Sequence, residues 1–255
     1  MNVNQDQLVS VITALYNSER FVARTIESVM AQTYPHWEMI IVNDGSTDRS
    51  GQIASDYAKR DERIKVITQP NGGSAAARNN GIRHATGRYI ALLDSDDVWD
   101  SNFLESQLAF MHQTGGKLVC AAHRRVDEDG KECLKPFYPP REARYRDLLK
   151  TCSISCLTAL YDTQPYGKFY LREELSSLRD DYALWLDLVK KVGVVYGNQE
   201  ILASYRLLNS QVTANKRKMI KPQYNIYRKV EKIGVLKSLY YLFCWGIYGL
   251  KKYRR

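Results

Sequence analysis

Between residues 8 and 93, short apolar runs alternate with segments of helical periodicity, and this restricts the fold more than any other feature. Leu8 to Ala14 is rich in β-branched residues and predicts a strand. Asn17 or Ser18 can cap the next helix, where Val22, Ile26, Val29 and Met30 recur at i, i+4, i+7 and i+8. Trp37 to Val42 predicts a second strand, Thr47 to Lys59 a helix and Ile64 to Ile67 a third strand. Ser74 to His84 is a helix of small residues, and Tyr89 to Leu93 a fourth strand. The order β-α-β-α-β-α-β implies a mostly parallel, doubly wound α/β sheet with right-handed crossovers and helices on both faces.

The fourth strand ends in Asp94-Ser-Asp-Asp97. Ligands of open α/β sheets bind outside the carboxyl ends of the strands. Three crowded acids there repel one another unless a cation sits among them. Oxygen ligands suit Mg²⁺ or Mn²⁺, which keeps waters and takes further ligands from substrate phosphates. The competing reading is a solvated acidic turn that caps the helix starting near Asp100. The first turn, Leu15 to Arg20, contains no glycine, and neither a G-x-G-x-x-G nor a G-x-x-x-x-G-K-[ST] loop is present. A carboxylate-held metal is then the available device for neutralising bound phosphates.

Further on, Phe103, Leu104, Leu108 and Met111 mark a helix, Lys117 to Ala122 a strand, and Asp127 to Gly130 a hairpin turn. Periodicity is weak from Lys131 to Thr151, where Pro136, Pro139 and Pro140 predict an irregular loop lining a site. Ile154 to Tyr161 reads as a strand. Leu178 to Val189 reads as a helix with Asp180 and Asp181 at its N-terminal end, where acids also favour the macrodipole. The chain has 255 residues, with no run of 18 apolar residues and a polar start, so neither a membrane span nor a signal peptide is expected. Five cysteines without a CxxC pair suit a reducing compartment and are expected as buried thiols.

Five segments, in order, resemble the family-2 glycosyltransferases of the GT-A fold, especially bacterial enzymes of capsule, O-antigen or teichuronic-type polysaccharide assembly. They are Val9-Ser-Val-Ile-Thr-Ala-Leu-Tyr-Asn17, Val42-Asn-Asp-Gly-Ser-Thr-Asp48, Asn71 to Gly81, Leu93-Asp-Ser-Asp-Asp97 and Asp180-Asp-Tyr-Ala-Leu-Trp-Leu186. The resemblance covers roughly residues 8–210. It implies an inverting transferase that moves a sugar from a nucleotide-sugar, with UDP expected, to an acceptor hydroxyl. Thr13, Tyr16, Asn17, Asp44, Arg78, Asp94 and Ser95 would bind the donor, and Asp94 and Asp96 the Mn²⁺ or Mg²⁺. Asp181 matches the catalytic base, and Asp180 stands where the family usually has Glu, which leaves the choice between the two acids open. The His that many relatives carry after the later Tyr-Arg pair is absent from Tyr205-Arg-Leu-Leu-Asn209.

Residues 1–215 are expected to form the catalytic domain, with a donor half at about 8–100 and an acceptor half at about 101–215. Residues 216–255 form a helical tail. The net charge of +9 is uneven. Residues 206–255 carry 13 Lys or Arg against the single acid Glu231, whereas the rest holds 24 basic and 27 acidic residues. Ser238 to Leu250 is uncharged and aromatic-rich, and Lys251, Lys252, Arg254 and Arg255 follow. Such a segment suits an anionic membrane interface, which a lipid-linked acceptor at the inner leaflet would explain, or a helix packed on the domain. Both stay open. A sugar nucleotidyltransferase would want a glycine-rich first loop. A nucleic-acid-binding protein using the basic tail would leave Asp94, Asp96 and Asp181 unexplained, so nucleic acid is not expected as a partner.

Overall fold

The computed structural model describes residues 7–175, 179–208 and 219–252. Residues 1–6, Leu178, Asn209, Lys216 to Lys218, Arg254 and Arg255, which figure in the expectations above, lie outside them. The amino-terminal half follows the expected alternation. Strands β1 (Val9–Leu15), β2 (Trp37–Asp44), β3 (Ile64–Gln69) and β4 (Tyr89–Leu92) are parallel in the order β3-β2-β1-β4. Helices α1 (Val22–Met30), α2 (Ser50–Ala58) and α3 (Ser74–His84) make the crossovers.

Side chains alternate across each strand, so β1 feeds two cores. Val9, Val11 and Leu15 pack with Val22, Ile26 and Val29 of α1 on one face. Ile12 packs with Ala75, Ala77 and Ile82 of α3 on the other. The small residues of α3 permit a close approach: a Cβ on Gly81 would lie 2.5 Å from Ile12 Cγ2.

Beyond β4 the sheet becomes mixed. β5 (Val98–Trp99), helix α4 (Phe103–Thr114) and β6 (Leu118–Val126) follow in the chain, and β6 pairs antiparallel with β7 (Glu132–Phe137) across the expected turn at Asp127 to Gly130. Next come β8 (Glu142–Ala143), helix α5 (Tyr145–Lys150), a 3₁₀ turn at Cys156–Thr158 and β9 (Leu160–Asp162). β9 lies antiparallel between β4 and β6. Helix α6 (Asp180–Val192) then leads into the twelve-residue β10 (Val195–Arg206), parallel to β6.

Three expectations are corrected here. The segment 131–151 is not one irregular loop: it contains β7, β8 and α5, which are short and whose prolines mask their pattern. Ile154 to Tyr161 is mostly a turn, with only its end in β9. Of the cysteines, only Cys120 is buried; Cys133 is exposed, and Cys152, Cys156 and Cys244 are partly exposed.

Residues 219–252 pack back on the body. α7 (Ile220–Asn225) runs into a π-helical turn whose Ile226 and Tyr227 are fully buried. The last helix, α8 (Val235–Lys252), buries Ser238 and sets Tyr241 and Leu242 against the core. No helix among the described residues is long and apolar enough to cross a membrane.

Candidate active site

β4 ends where the apolar run ends, and the turn closed by Asp97 N–H donating to Asp94 O (3.2 Å) presents the acids. Arg78, on α3, donates to Asp94 Oδ1 at 2.5 Å and lies 3.5 Å from Asp180 Oδ2 at the start of α6. One guanidinium thus joins a strand-end acid to the acid pair of a helix about 90 residues away in sequence. Burial opposes the Arg78 charge, and Asp94 and Asp180 more than offset it, so its pKa lies well above the ordinary value.

The neighbouring acids have distinct surroundings. Asp96 is half-buried, and burial, then the charge of Asp94, pushes its pKa up to about 6. Asp97 is 1% exposed and accepts from Arg206 N–H at 2.7 Å. Burial and the charges of Asp96 and Asp94 raise its pKa well above the usual carboxylate range. Arg206 also donates to Asp96 O (2.9 Å) and Glu128 O (2.7 Å), so the end of β10 braces the acidic turn. Sequence reasoning missed Arg206 and Asp97 as supports. The Tyr205-Arg206 pair was visible, but its contact with a turn 109 residues away was not.

The other strand-end loops knit together at the same edge. Asn17 adopts a left-handed conformation (φ 47°), and its Oδ1 accepts from Thr47 N–H at 2.8 Å. Ser18 Oγ and Ser95 Oγ share a hydrogen bond of 2.8 Å, so Ser95 faces the first loop. Tyr16, half-exposed, leaves its ring available at the rim. Asp44 is 2% exposed and accepts 2.8 Å bonds from Gly72 N–H, Gly73 N–H and Gln69 Nε2. In this structure Asp44 holds the loop before α3, where Gly73 takes a φ of 87° that favours glycine. Thr13 is fully buried on the Val11 and Leu15 side of β1, opposite the face that carries Arg78 and Asp180. Its hydroxyl has no hydrogen-bond partner among the described residues.

Asp180 is 3% exposed; burial raises its pKa, Arg78 pulls it down and Asp181 raises it further. Asp181 is half-buried and accepts from Tyr182 N–H at 2.7 Å. Cys156 sits within the fields of Arg78, Asp94, Asp181 and Asp180. Burial raises its thiol pKa well above the ordinary value, which favours the neutral thiol.

Among the described residues no three of His, Cys, Asp and Glu converge as a ready ligand set. The fit to a divalent cation rests instead on Asp94 and Asp96. Burial and then the charge of Asp94 raise the Asp96 pKa, and a cation between the two carboxylates would relieve their repulsion. Two protein carboxylates, with waters and substrate phosphates as the other ligands, are what Mg²⁺-type sites use.

Strand-end carboxylates on a parallel sheet, tied to an acid pair on a facing helix, agree with the GT-A arrangement that the sequence resemblance implied. The glycosyl transferase family 2 model matches residues 10–173, and the chain belongs to that family. It is 39% identical over 250 residues to TuaG of Bacillus subtilis (strain 168), named for teichuronic acid biosynthesis, covering 98% of both chains. It is 33% identical over 253 residues to WfgD of Escherichia coli, a UDP-Glc:alpha-D-GlcNAc-diphosphoundecaprenol beta-1,3-glucosyltransferase, covering 97% of this chain and 96% of WfgD. Among solved structures, S. aureus TarS 1–349 in complex with UDP-GlcNAc superposes with a TM-score of 0.69 at 20% identity, over 86% of this chain and 65% of that one. The mannosyltransferase PcManGT of Pyrobaculum calidifontis, in complex with GDP-Man and Mn2+, superposes at 0.67 with 17% identity, over 94% of this chain and 72% of that one. These likenesses establish the fold.

Proposed function

We propose that the enzyme transfers a sugar from a UDP-sugar, with inversion and with the help of a divalent metal, to a hydroxyl of a lipid-linked saccharide during assembly of a cell-surface polysaccharide. The observation that carries this is the Asp94–Arg78–Asp180 link, which brings the strand-end acids and the α6 acids into one site. The names of TuaG and WfgD support the polysaccharide and the lipid-linked acceptor. The UDP-GlcNAc complex of TarS supports the donor.

In this reading Tyr16 packs on the base, while Asn17, Ser18 and Ser95 hold the loops that receive the nucleoside. Asp44 sets the loop before α3 beneath it. Asp94 and Asp96 would hold the cation, which when bound supplies positive charge for the leaving diphosphate. Arg78 fixes Asp94, and Asp180 fixes Arg78. Asp181, the more accessible acid of its pair, accepts the proton of the acceptor hydroxyl. Single displacement with that base opposite the leaving group inverts the anomeric carbon. Peripheral attachment to the inner face of the membrane through α8 places the site near its acceptor. The basic carboxyl-terminal residues serve that surface rather than nucleic acid.

The test is incubation with a panel of UDP- and GDP-sugars, with and without Mn²⁺, scored for hydrolysis and for transfer to a GlcNAc-diphospholipid. Mn²⁺-dependent turnover of a UDP-sugar, with an inverted product anomer by NMR, is expected. Turnover unaffected by chelator or retention of configuration would refute the reading.

A further inference from the structure

The proline-bearing segment 135–140 takes no part in the site above, yet it is firmly built. Gly197 N–H of β10 donates to Arg141 O at 2.9 Å, and Gln199 Nε2 to Pro139 O at 3.0 Å. A Cβ on Gly197 would lie 2.1 Å from Pro140 O, so the strap is pressed against bare backbone. Between this strap and the end of α5 lies a cleft of about 820 Å³. Phe137, Tyr138 and Tyr248 of α8 give it apolar surface; Arg125, Lys135 and Lys150 give it positive charge. Glu142 and Asp147 also line it; Asp147 accepts from Arg144 N–H at 3.1 Å and lies 4.0 Å from Lys150, the outer limit of an ion pair.

Two lining residues tie the cleft to its surroundings. Its lining includes Ser153, three residues before Cys156, whose thiol feels the charges of Arg78, Asp94 and Asp181. Three residues span at most about 10 Å. Its lining also includes Tyr248, a half-exposed residue of α8 on the side of the helix that carries Tyr241. The cleft therefore combines aromatic and basic side chains with a wall that is three residues from Cys156 in the chain. A ligand that matches this combination has a long apolar chain, then a strongly anionic group, then the reacting portion.

We infer that the cleft is the subsite for the diphosphate and the first part of the apolar chain of a lipid-diphosphate acceptor. This rests on the lipid-linked acceptor proposed above. The diphosphate lies beside Lys135 and Lys150, and the chain runs out over Tyr138 and Tyr248.

The experiment uses the full chain, with farnesyl diphosphate as a short probe and farnesol and inorganic pyrophosphate as its separate halves. Lys135→Glu and Tyr248→Ala change side chains at or near the surface and leave the donor site intact. Calorimetry should show farnesyl diphosphate bound more tightly than either half. The paired variant should weaken it by about tenfold or more. With a GlcNAc-diphospholipid acceptor, its KM should rise while UDP-sugar hydrolysis stays at the wild-type rate. Equal affinity in wild type and variant overturns the inference. So does displacement of the probe by UDP, which would place the diphosphate in the donor site. Retained sugar-nucleotide hydrolysis in those cases shows that only the subsite assignment has failed; its absence in wild type would instead strike the functional reading.

Discussion

Asp180 and Asp181 are adjacent in the chain, yet their surroundings give them different tasks. Asp180 is buried against Arg78, whereas Asp181 is half-buried and accepts from its neighbour's N–H. Asp181→Asn keeps the size and removes the proton acceptor, so kcat should fall by roughly 10²–10⁴ with donor affinity retained. Asp180→Asn leaves Arg78 with less countercharge in a buried setting and should lower the melting temperature and weaken donor binding more than kcat. A crippled kcat in Asp180→Asn beside a mild effect in Asp181→Asn would reverse the assignment. At the acidic turn, Asp96→Ala removes a repelled carboxylate; the fold should persist while Mn²⁺-dependent donor binding is lost. Unchanged donor affinity by calorimetry with Mn²⁺ would rule out this metal site. The raised pKa of Asp96 also has a sign. The folded chain holds a proton that the unfolded chain releases at lower pH, so metal-free stability falls as pH rises from the usual carboxylate range toward about 6. Asp97 is shifted the same way. Melting curves in chelator should therefore show that slope reduced, not abolished, in Asp96→Asn.

At the scale of elements, α8 packs on the domain, the second reading of the tail, and the membrane reading becomes a prediction about its outer face. Leu242 packs on the core, and Trp245 lies under the Arg179 guanidinium at 5.0 Å, so these two face the protein. Leu236, Tyr240, Phe243 and Ile247, spaced four, three and four residues apart, form an exposed apolar stripe, with Lys232 and Lys237 exposed near one end. Eighteen residues make a helix of about 27 Å that can lie along a bilayer surface. Lys and Arg near an anionic surface add about 1 kcal/mol each, a part that salt screens, whereas apolar insertion is not screened. Full-length chain should therefore bind anionic vesicles, with high salt weakening the binding partly. Leu236→Ser with Phe243→Ser should remove most of it while leaving the melting temperature unchanged. If the paired change instead converts a dimer to a monomer without affecting vesicle binding, the stripe is an interface between two copies.

For the molecule as a whole, removing everything after Lys237 is a different experiment from altering the stripe. It strips Ser238, Tyr241 and Leu242 from the core beside Ile226 and Tyr227. Losing two apolar side chains of this size costs about 3 kcal/mol. For a chain of this length that lowers the melting temperature by roughly 6–12 °C. A truncated chain that melts with the full-length protein would show that α8 contributes nothing to the domain.

The sequence by itself determined the parallel half of the sheet, because strand and helix periods are local and residues 8–93 express them without interruption. It also determined which acids stand at the end of β4 and at the start of α6, since both sets fall where a period breaks. It did not disclose β7, β8 and α5, which are too short for a period to register, nor the pairing of β10 with β6. Only the tertiary structure decided that Arg78 belongs to Asp94 and Asp180, that Arg206 braces Asp97, and that Asp44 is already engaged by its own glycine loop. Those are contacts between loops from different strands, fixed by how the strands are ordered in the sheet. Neighbouring residues in the chain carry no record of that order, and for the same reason only the packed α8 reveals which of its faces remains apolar and uncovered.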